Sequence, residues 1–229
     1  MKTIKSLLAL TLIVAIPFGF MIWYRSHQST GFASIELILY PLIFGGGSII
    51  ILYLLKKYFL KENISDFNSA NGNLSTDIIW GLGLTIMYFI LFYVERATLS
   101  NILSFRSNQE LLNLMLDMRK NPVLLVLWFG PVLWIGIALY EELIRVFILT
   151  TLWQYSKSQF LIFFVIVISA LIIGFAHWSQ GSYGVVTIAI KSIVSGYFFF
   201  KVRRLLPLII AHVLYDGIQV ALLLITYPY

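Results

Sequence analysis

The sequence predicts an all-α, polytopic transmembrane bundle of seven or eight helices. Of its 229 residues, 60% are hydrophobic and only 11% are charged, whereas a typical soluble domain has about 25% charged residues. The mean hydropathy is +0.91, and the apolar residues form long uncharged runs of roughly the 20 residues that cross a bilayer. This composition excludes a soluble globule, a disordered chain and a collagen, and the absence of cysteine excludes a disulfide scaffold.

The net charge of +6 does not indicate nucleic-acid binding, because the basic residues form no single patch. They lie in short clusters between apolar runs, as cations do in loops at a membrane surface. The clusters are Lys2 and Lys5; Lys56, Lys57 and Lys61; Arg119 and Lys120; and Lys201, Arg203 and Arg204. The lipid bilayer is therefore the expected partner. Without cysteine, thiolate catalysis and Cys-ligated zinc are excluded as well.

Three uncharged runs predict the N-terminal spans, at residues 7–24, 37–55 and 78–94. The first follows Lys2 and Lys5 as in a signal peptide, but it is long and no small-x-small cleavage site follows it. We therefore expect a retained helix. The three glycines at 45–47 predict a close helix contact, and the polar stretch 61–77 predicts a surface loop.

Residues 105–120 predict a different kind of helix. Leucine and methionine alternate there with Glu110, Asp117 and Arg119, a pattern typical of a short amphipathic helix at the membrane interface. An ordinary connecting helix fits the same pattern.

Residues 121–153 would measure roughly 50 Å as one helix, which exceeds the hydrocarbon core of about 30 Å. Gly130 and Pro131 offer a break, because proline inside a helix removes a hydrogen bond and clashes with the preceding turn. A span beginning near Pro131 would carry Glu141 to about mid-membrane. The remaining runs predict three more spans, at 158–176, 184–200 and 205–227.

Several ionisable side chains lie within the C-terminal spans, where they are costly and hence functional candidates. In chain order they are Glu141, Glu142, Arg145, His177, His212 and Asp216. The first three share one span, the first histidine closes the next, and the last two lie in the final span.

Helix periodicity relates these groups to one another. Arg145 lies four residues after Glu141 and three after Glu142, so either glutamate can pair with it. The two glutamates are about 100° apart around the helix axis, so we expect one of them to need another partner, such as an imidazole. His212 and Asp216 lie one turn apart on the same face.

A glutamate, two histidines and an aspartate can form a water-activating site. The glutamate can act as a general base, and the imidazoles can orient the water or stabilise an oxyanion. The same groups can also form a His/carboxylate metal site.

Each group also has a purely structural interpretation. Glu142 and Arg145 can be an ion pair that fixes helix packing, and His177 can be a hydrogen-bonded interfacial residue. His212 and Asp216 can form a hydrogen bond that stabilises their helix.

Three other ionisable residues fit no motif. Lys191 lies mid-span, so we expect it to pair structurally with an acid. Glu36 and Glu95 lie at span ends, where we expect them at the interface.

The order of these motifs resembles that of the CPBP (Abi) intramembrane proteases. Two glutamates and an arginine come first, a histidine closes the next helix, and His-x-x-x-Asp lies in a late helix. That family includes the type II CAAX prenyl endopeptidases and the bacterial bacteriocin-processing and self-immunity proteins. The resemblance covers roughly residues 122–226. It implies a glutamate-dependent endopeptidase that cleaves within or beside the membrane. Residues 1–104 would then supply three N-terminal spans, and 105–229 the catalytic core.

Carried over by position, the resemblance implies that Glu141 is the general base that activates water. Glu142 would support it and pair with Arg145. Because only two residues separate Glu142 from Arg145, the arginine lies one turn from Glu141, and the roles of the two glutamates could be exchanged.

The resemblance further implies that His177 helps to hold the water, and that His212 and Asp216 stabilise the oxyanion. It implies no cofactor and no metal. The expected substrate is a membrane-associated peptide or protein, and the expected location is a bacterial cell membrane.

Two other classes of function fit the residues. One is a non-catalytic membrane immunity protein or scaffold of the same family. The other is a small transporter or proton relay, because buried ionisable groups also form ion pathways. The absence of an inverted repeat in the sequence argues against a transporter.

Overall fold

A computed structural model describes residues 2–27, 33–68, 72–106, 109–154 and 158–227, and all regular structure in these ranges is helical. Eight helices follow one another there: α1 (Lys2–His27), α2 (Glu36–Leu60), α3 (Leu74–Leu99), α4 (Gln109–Asp117), α5 (Pro122–Trp153), α6 (Gln159–Ala176), α7 (Gly181–Val202) and α8 (Leu206–Thr226). Short 3₁₀ turns lie at Ile64–Asn68, Met118–Lys120 and Trp178–Gln180.

Six of the described helices are long and apolar enough to cross a membrane, namely α2, α3 and α5 to α8. The apolar stretch of α1, Ile4–Pro17, is shorter. Large apolar side chains face outward along the spans; on α3, Ile79, Ile86 and Ile90 are 68%, 61% and 53% exposed. Such a surface is unfavourable in water and is expected of helices that face lipid. The prediction of an all-α, multi-pass membrane protein is confirmed.

Packing divides the chain into two compact units. The first comprises Met1–Asp66, Gln109–Ile144 and Asp216–Tyr229, and the second comprises Phe67–Asn108 and Arg145–Tyr215. Helices α5 and α8 each contribute residues to both units.

In the first unit, α2 and α5 cross with their backbones in close contact. A β-carbon on Gly136 of α5 would lie 2.8 Å from the carbonyl carbon of Pro41. Gly45 of α2 faces the backbone of Gly136 in the same way, whereas Gly46 and Gly47 have no atom within 4 Å of the β-carbon position. Of the three glycines predicted to allow close contact, Gly45 is the one at the crossing.

Helix α5 is continuous over 32 residues but kinked. Gly130 has non-helical backbone angles (φ −88°, ψ −109°), and Trp128–Leu139 takes the wider turns of a π-helix. Regular α-helix resumes at Tyr140. The break predicted at Gly130 and Pro131 is thus a kink of the kind that proline causes, and α5 counts as one span.

In the second unit, small residues bring α6 and α7 together. A β-carbon on Gly174 of α6 would lie 3.0 Å from the β-carbon of Ala189 on α7. Gly196 of α7 lies similarly close to Ile166 of α6, at 3.0 Å from its Cγ2. Small residues at such positions let apolar helices approach in lipid.

The connecting segments differ from their predictions in two places. Residues 61–77 are not all surface loop, because α3 begins at Leu74, and Asp77 is buried. The carboxylate lies there because it pairs with Arg204 in the same unit. The short helix predicted over 105–120 begins only at Gln109, and residues 69–71, 107 and 108 lie outside the described ranges. Its position at a membrane interface stays a prediction.

Candidate active site

The two glutamates and the arginine lie where α5 returns from π-helical to α-helical turns. Glu142 and Arg145 are 1% and 6% exposed, and Glu141 is half-buried. The helical register places Arg145 one turn after both glutamates, as predicted. A charge that is buried in this way is tolerated only where other groups compensate it. The partial exposure of Glu141 makes it the more accessible carboxylate of the two.

His177 ends α6, as predicted, and its ring is hydrogen-bonded to the last turn of that helix. Its Nδ1 lies 2.9 Å from the carbonyl oxygen of Ile173. A carbonyl oxygen can only accept, so Nδ1 carries the proton in this bond. In the neutral ring, Nε2 is then left with its lone pair as a hydrogen-bond acceptor. This arrangement suits an imidazole that positions a water molecule.

The turn after His177 is fixed by a segment that the sequence does not single out. Tyr183 N donates to the carbonyl oxygen of Ser104 at 3.0 Å, and Arg106 N donates to that of Gln180 at 3.1 Å. Gly181 has a φ of 81°, a left-handed conformation that favours glycine. These bonds tie the 104–106 segment to the turn and hold the end of α6 in place.

His212 and Asp216 are both half-buried on α8, one turn apart on one face, as predicted. Between them lies Tyr215, whose ring contacts two aromatic side chains of α3 in the second unit. Its centroid lies 5.7 Å from that of Tyr88 and 5.0 Å from that of Phe89. These contacts set the rotation of this part of α8 and hence the direction in which His212 faces.

The predicted site residues are shared between the compact units. Three belong to the first (Glu141, Glu142 and Asp216), and three to the second (Arg145, His177 and His212). Their convergence on one catalytic centre stays a prediction. Within the described ranges, no group of three or more His, Asp or Glu side chains could hold a metal ion.

Lys191 pairs with an acid, as predicted, and that acid is Glu95 of α3. Glu95 is 3% exposed within the second unit, and its expected position at the membrane interface stays a prediction. Lys191 also lies over the ring of Tyr215, with 5.7 Å from Nζ to the ring centroid. The sequence carries no local signal for this pairing, since 96 residues separate the two partners.

Comparison with known protein families finds a match over part of the chain. Residues 123–218 match the model of the family described as type II CAAX prenyl endopeptidase Rce1-like. Comparisons with curated proteins and with solved structures find no match to the chain. The matched segment begins shortly after the start of α5 and ends two residues after Asp216, so it contains every predicted site residue. The resemblance to the CPBP proteases is thereby confirmed over residues 123–218, which are similar to the Rce1-like type II CAAX prenyl endopeptidase family.

Proposed function

We propose that the protein is an intramembrane endopeptidase in which a glutamate activates a water molecule to cleave a peptide bond. The proposal depends above all on one observation. The Rce1-like match over residues 123–218 contains the two glutamates, the arginine, both histidines and the aspartate, in the order that the motif requires.

In this proposal Glu141 takes a proton from water as the water oxygen attacks the carbonyl carbon of the substrate. Its partial exposure supports this role, because a general base must meet both water and substrate. Glu142 and Arg145, both buried, form the charged support beside it. The proton then passes to the amine that leaves, and the products are a new carboxylate and a new amino terminus.

The histidines and the aspartate complete the proposed site. His177 accepts a hydrogen bond from the water through Nε2, since Nδ1 is engaged with the backbone of Ile173. His212 and Asp216 face the scissile carbonyl and stabilise the negative charge that develops on its oxygen. Asp216 can donate a hydrogen bond in this role only when it is protonated.

The proposed substrate is a membrane-associated peptide or protein, because the catalytic residues lie on helices with the length and composition of membrane spans. The matched family is named for prenylated substrates. For this chain we propose the broader class, with a bacteriocin-like precursor in a bacterial cell membrane as one member.

The test compares the termini of membrane peptides in cells that carry the wild type, Glu141→Gln or Glu142→Gln. Glutamine keeps the shape of glutamate but cannot act as a base at neutral pH. We expect a peptide terminus that is present with the wild type and absent with Glu141→Gln. Glu110→Gln is the matched control, because Glu110 is exposed on α4, outside the matched segment.

If the terminus is lost in Glu142→Gln but kept in Glu141→Gln, then Glu142 is the general base and Glu141 has the supporting role. Identical termini in all strains, with equal amounts of each protein in the membrane, would contradict proteolysis. That result would favour a non-catalytic immunity protein or scaffold.

A further inference from the structure

Several span ends of the second unit meet at the turn between α7 and α8. Arg204 of this turn forms a bidentate pair with Asp77, in the first turns of α3: its Nε donates to Oδ1 at 2.9 Å, and Nη2 donates to Oδ2. The backbone N–H of Leu205 donates to Oδ1 of Asn68 at 2.7 Å. Arg203 lies over Trp153, the last residue of α5. The turn is therefore a fixed structure at one end of the membrane-spanning helices.

Arg203 holds an unusual backbone conformation. It follows the last residue of α7 with φ 55° and ψ 40°, and its N–H donates to the carbonyl oxygen of Phe199 at 2.8 Å. Helices commonly end in this left-handed conformation, but the residue is usually glycine, because a β-carbon is strained there. Among the described residues, Arg203 shares this positive φ with one other non-glycine residue, Lys61.

The side chain of Arg203 lies on an aromatic platform. Its guanidinium carbon is 4.0 Å from the ring centroid of Trp153. Trp153 in turn stacks on Phe199, with 5.8 Å between centroids and 12° between planes. Stacking of this kind fixes the plane of the guanidinium and leaves its N–H donors available at the edge.

Lys201 lies two residues earlier and is exposed. Its Nζ is 5.6 Å from the ring centroid of Tyr197 and 5.7 Å from that of Phe200. Tyr197 is itself half exposed. Aromatic rings and cations at span ends are typical of the headgroup layer of a membrane.

The charges at this turn are only partly balanced. Asp77 neutralises Arg204, and their hydrogen bond raises the pKa of that guanidinium. Among the described residues, no acid pairs with Lys201 or Arg203. Partial burial lowers the pKa of the Arg203 guanidinium, since desolvation disfavours a charge. Two positive charges therefore lie at these span ends without an acidic partner in the part of the chain that the structure describes.

We propose that Lys201 and Arg203 bind the phosphate of an anionic phospholipid headgroup. A planar guanidinium can hold two phosphate oxygens, and a lysine ammonium can hold a third. The lipid is preferred to free phosphate because both cations lie at the ends of spans, and the exposed ring of Tyr197 lies beside Lys201. In membrane proteins generally, basic loop residues concentrate at the cytoplasmic face, where anionic lipids attract them. This site does not depend on the proposed protease activity.

The test measures lipid binding by the purified full-length protein. The protein is placed in nanodiscs of phosphatidylcholine with increasing phosphatidylglycerol, and the phospholipid that remains bound on release is counted by native mass spectrometry. We expect the wild type to retain phosphatidylglycerol over phosphatidylcholine. Lys201→Gln and Arg203→Gly should each weaken this retention about fivefold, as expected for one cation at a membrane surface.

Lys61→Gly is the matched control. Lys61, which follows the last residue of α2, also has a left-handed backbone conformation, with φ 58° and ψ 44°. Its side chain is exposed. Both glycine variants relieve the same backbone strain, so both should fold at least as stably as the wild type. Of the two glycine variants, only Arg203→Gly should weaken the retention of phosphatidylglycerol.

Equal loss in Lys61→Gly and Arg203→Gly would overturn the proposal, because the effect would then be one of net surface charge. The proposal would also be overturned if the wild type retained phosphatidylglycerol and phosphatidylcholine equally. Displacement of the lipid by inorganic phosphate at an equal concentration would assign the site to a free anion instead.

Discussion

At the scale of single residues, His177 shows how one backbone hydrogen bond determines what an imidazole can do. The sequence predicts a histidine at the end of a helix, and the structure places it there. The direction of the ring depends on the bond from Nδ1 to the carbonyl oxygen of Ile173, 2.9 Å away. That bond could not be predicted, because it requires the helix to end with His177 at φ −98° and ψ 22°.

His177→Asn and His177→Gln test this arrangement under the proposed function. Asparagine carries its amide near the position of Nδ1, and glutamine carries its amide near that of Nε2. We expect His177→Asn to keep the bond to Ile173 and normal stability but to lose cleavage about 100-fold or more.

His177→Gln should retain more cleavage than His177→Asn, because its amide oxygen can still accept from water. The measurement is the cleavage rate beside the thermal unfolding midpoint. Equal rates in both variants and in the wild type would contradict a role for Nε2.

At the scale of helices, close packing in the first unit depends on single glycines. The run at 45–47 predicts a close contact but not which glycine makes it, because that depends on the rotation of α2 against its neighbour. The structure places Gly45 against the backbone of Gly136, while Gly46 and Gly47 face open space. A single sequence carries no record of this rotation.

Gly45→Ala and Gly46→Ala form a matched pair that tests this crossing. A methyl group at position 45 would clash with the backbone of α5, so we expect a destabilisation of about 1–3 kcal/mol. A methyl group at position 46 meets no atom, so its effect should stay within about 1 kcal/mol. Unfolding of both variants in detergent measures the difference, and equal midpoints would show that the crossing is placed wrongly.

At the scale of the whole molecule, composition predicts the class of fold but not which residues of different helices contact one another. Low charge and long apolar runs predict the membrane spans, because each span must be apolar along its length. Pairings between distant residues follow from tertiary packing alone. Glu95 and Lys191 pair across 96 residues, and Asp77 and Arg204 across 127.

The candidate site also has features that the sequence predicts and features that depend on tertiary packing. Residue types and helical spacing predict which groups carry the chemistry and which share a helix face. The proposed convergence of Glu141, His177 and His212 from different helices would depend on packing that no local pattern encodes. The division of the chain at residue 104 into N-terminal spans and a catalytic core also stays a prediction, since the Rce1-like match covers only residues 123–218.

The central claim is that a glutamate of α5 activates the water that cleaves the substrate. The most direct measurement is the cleavage rate of a membrane-associated peptide by the purified, reconstituted protein and its Glu141→Gln variant. Because a general base contributes about 10²–10⁴-fold, we predict a loss of that size, with Glu110→Gln cleaving at the wild-type rate. Wild-type cleavage by both Glu141→Gln and Glu142→Gln would contradict the claim.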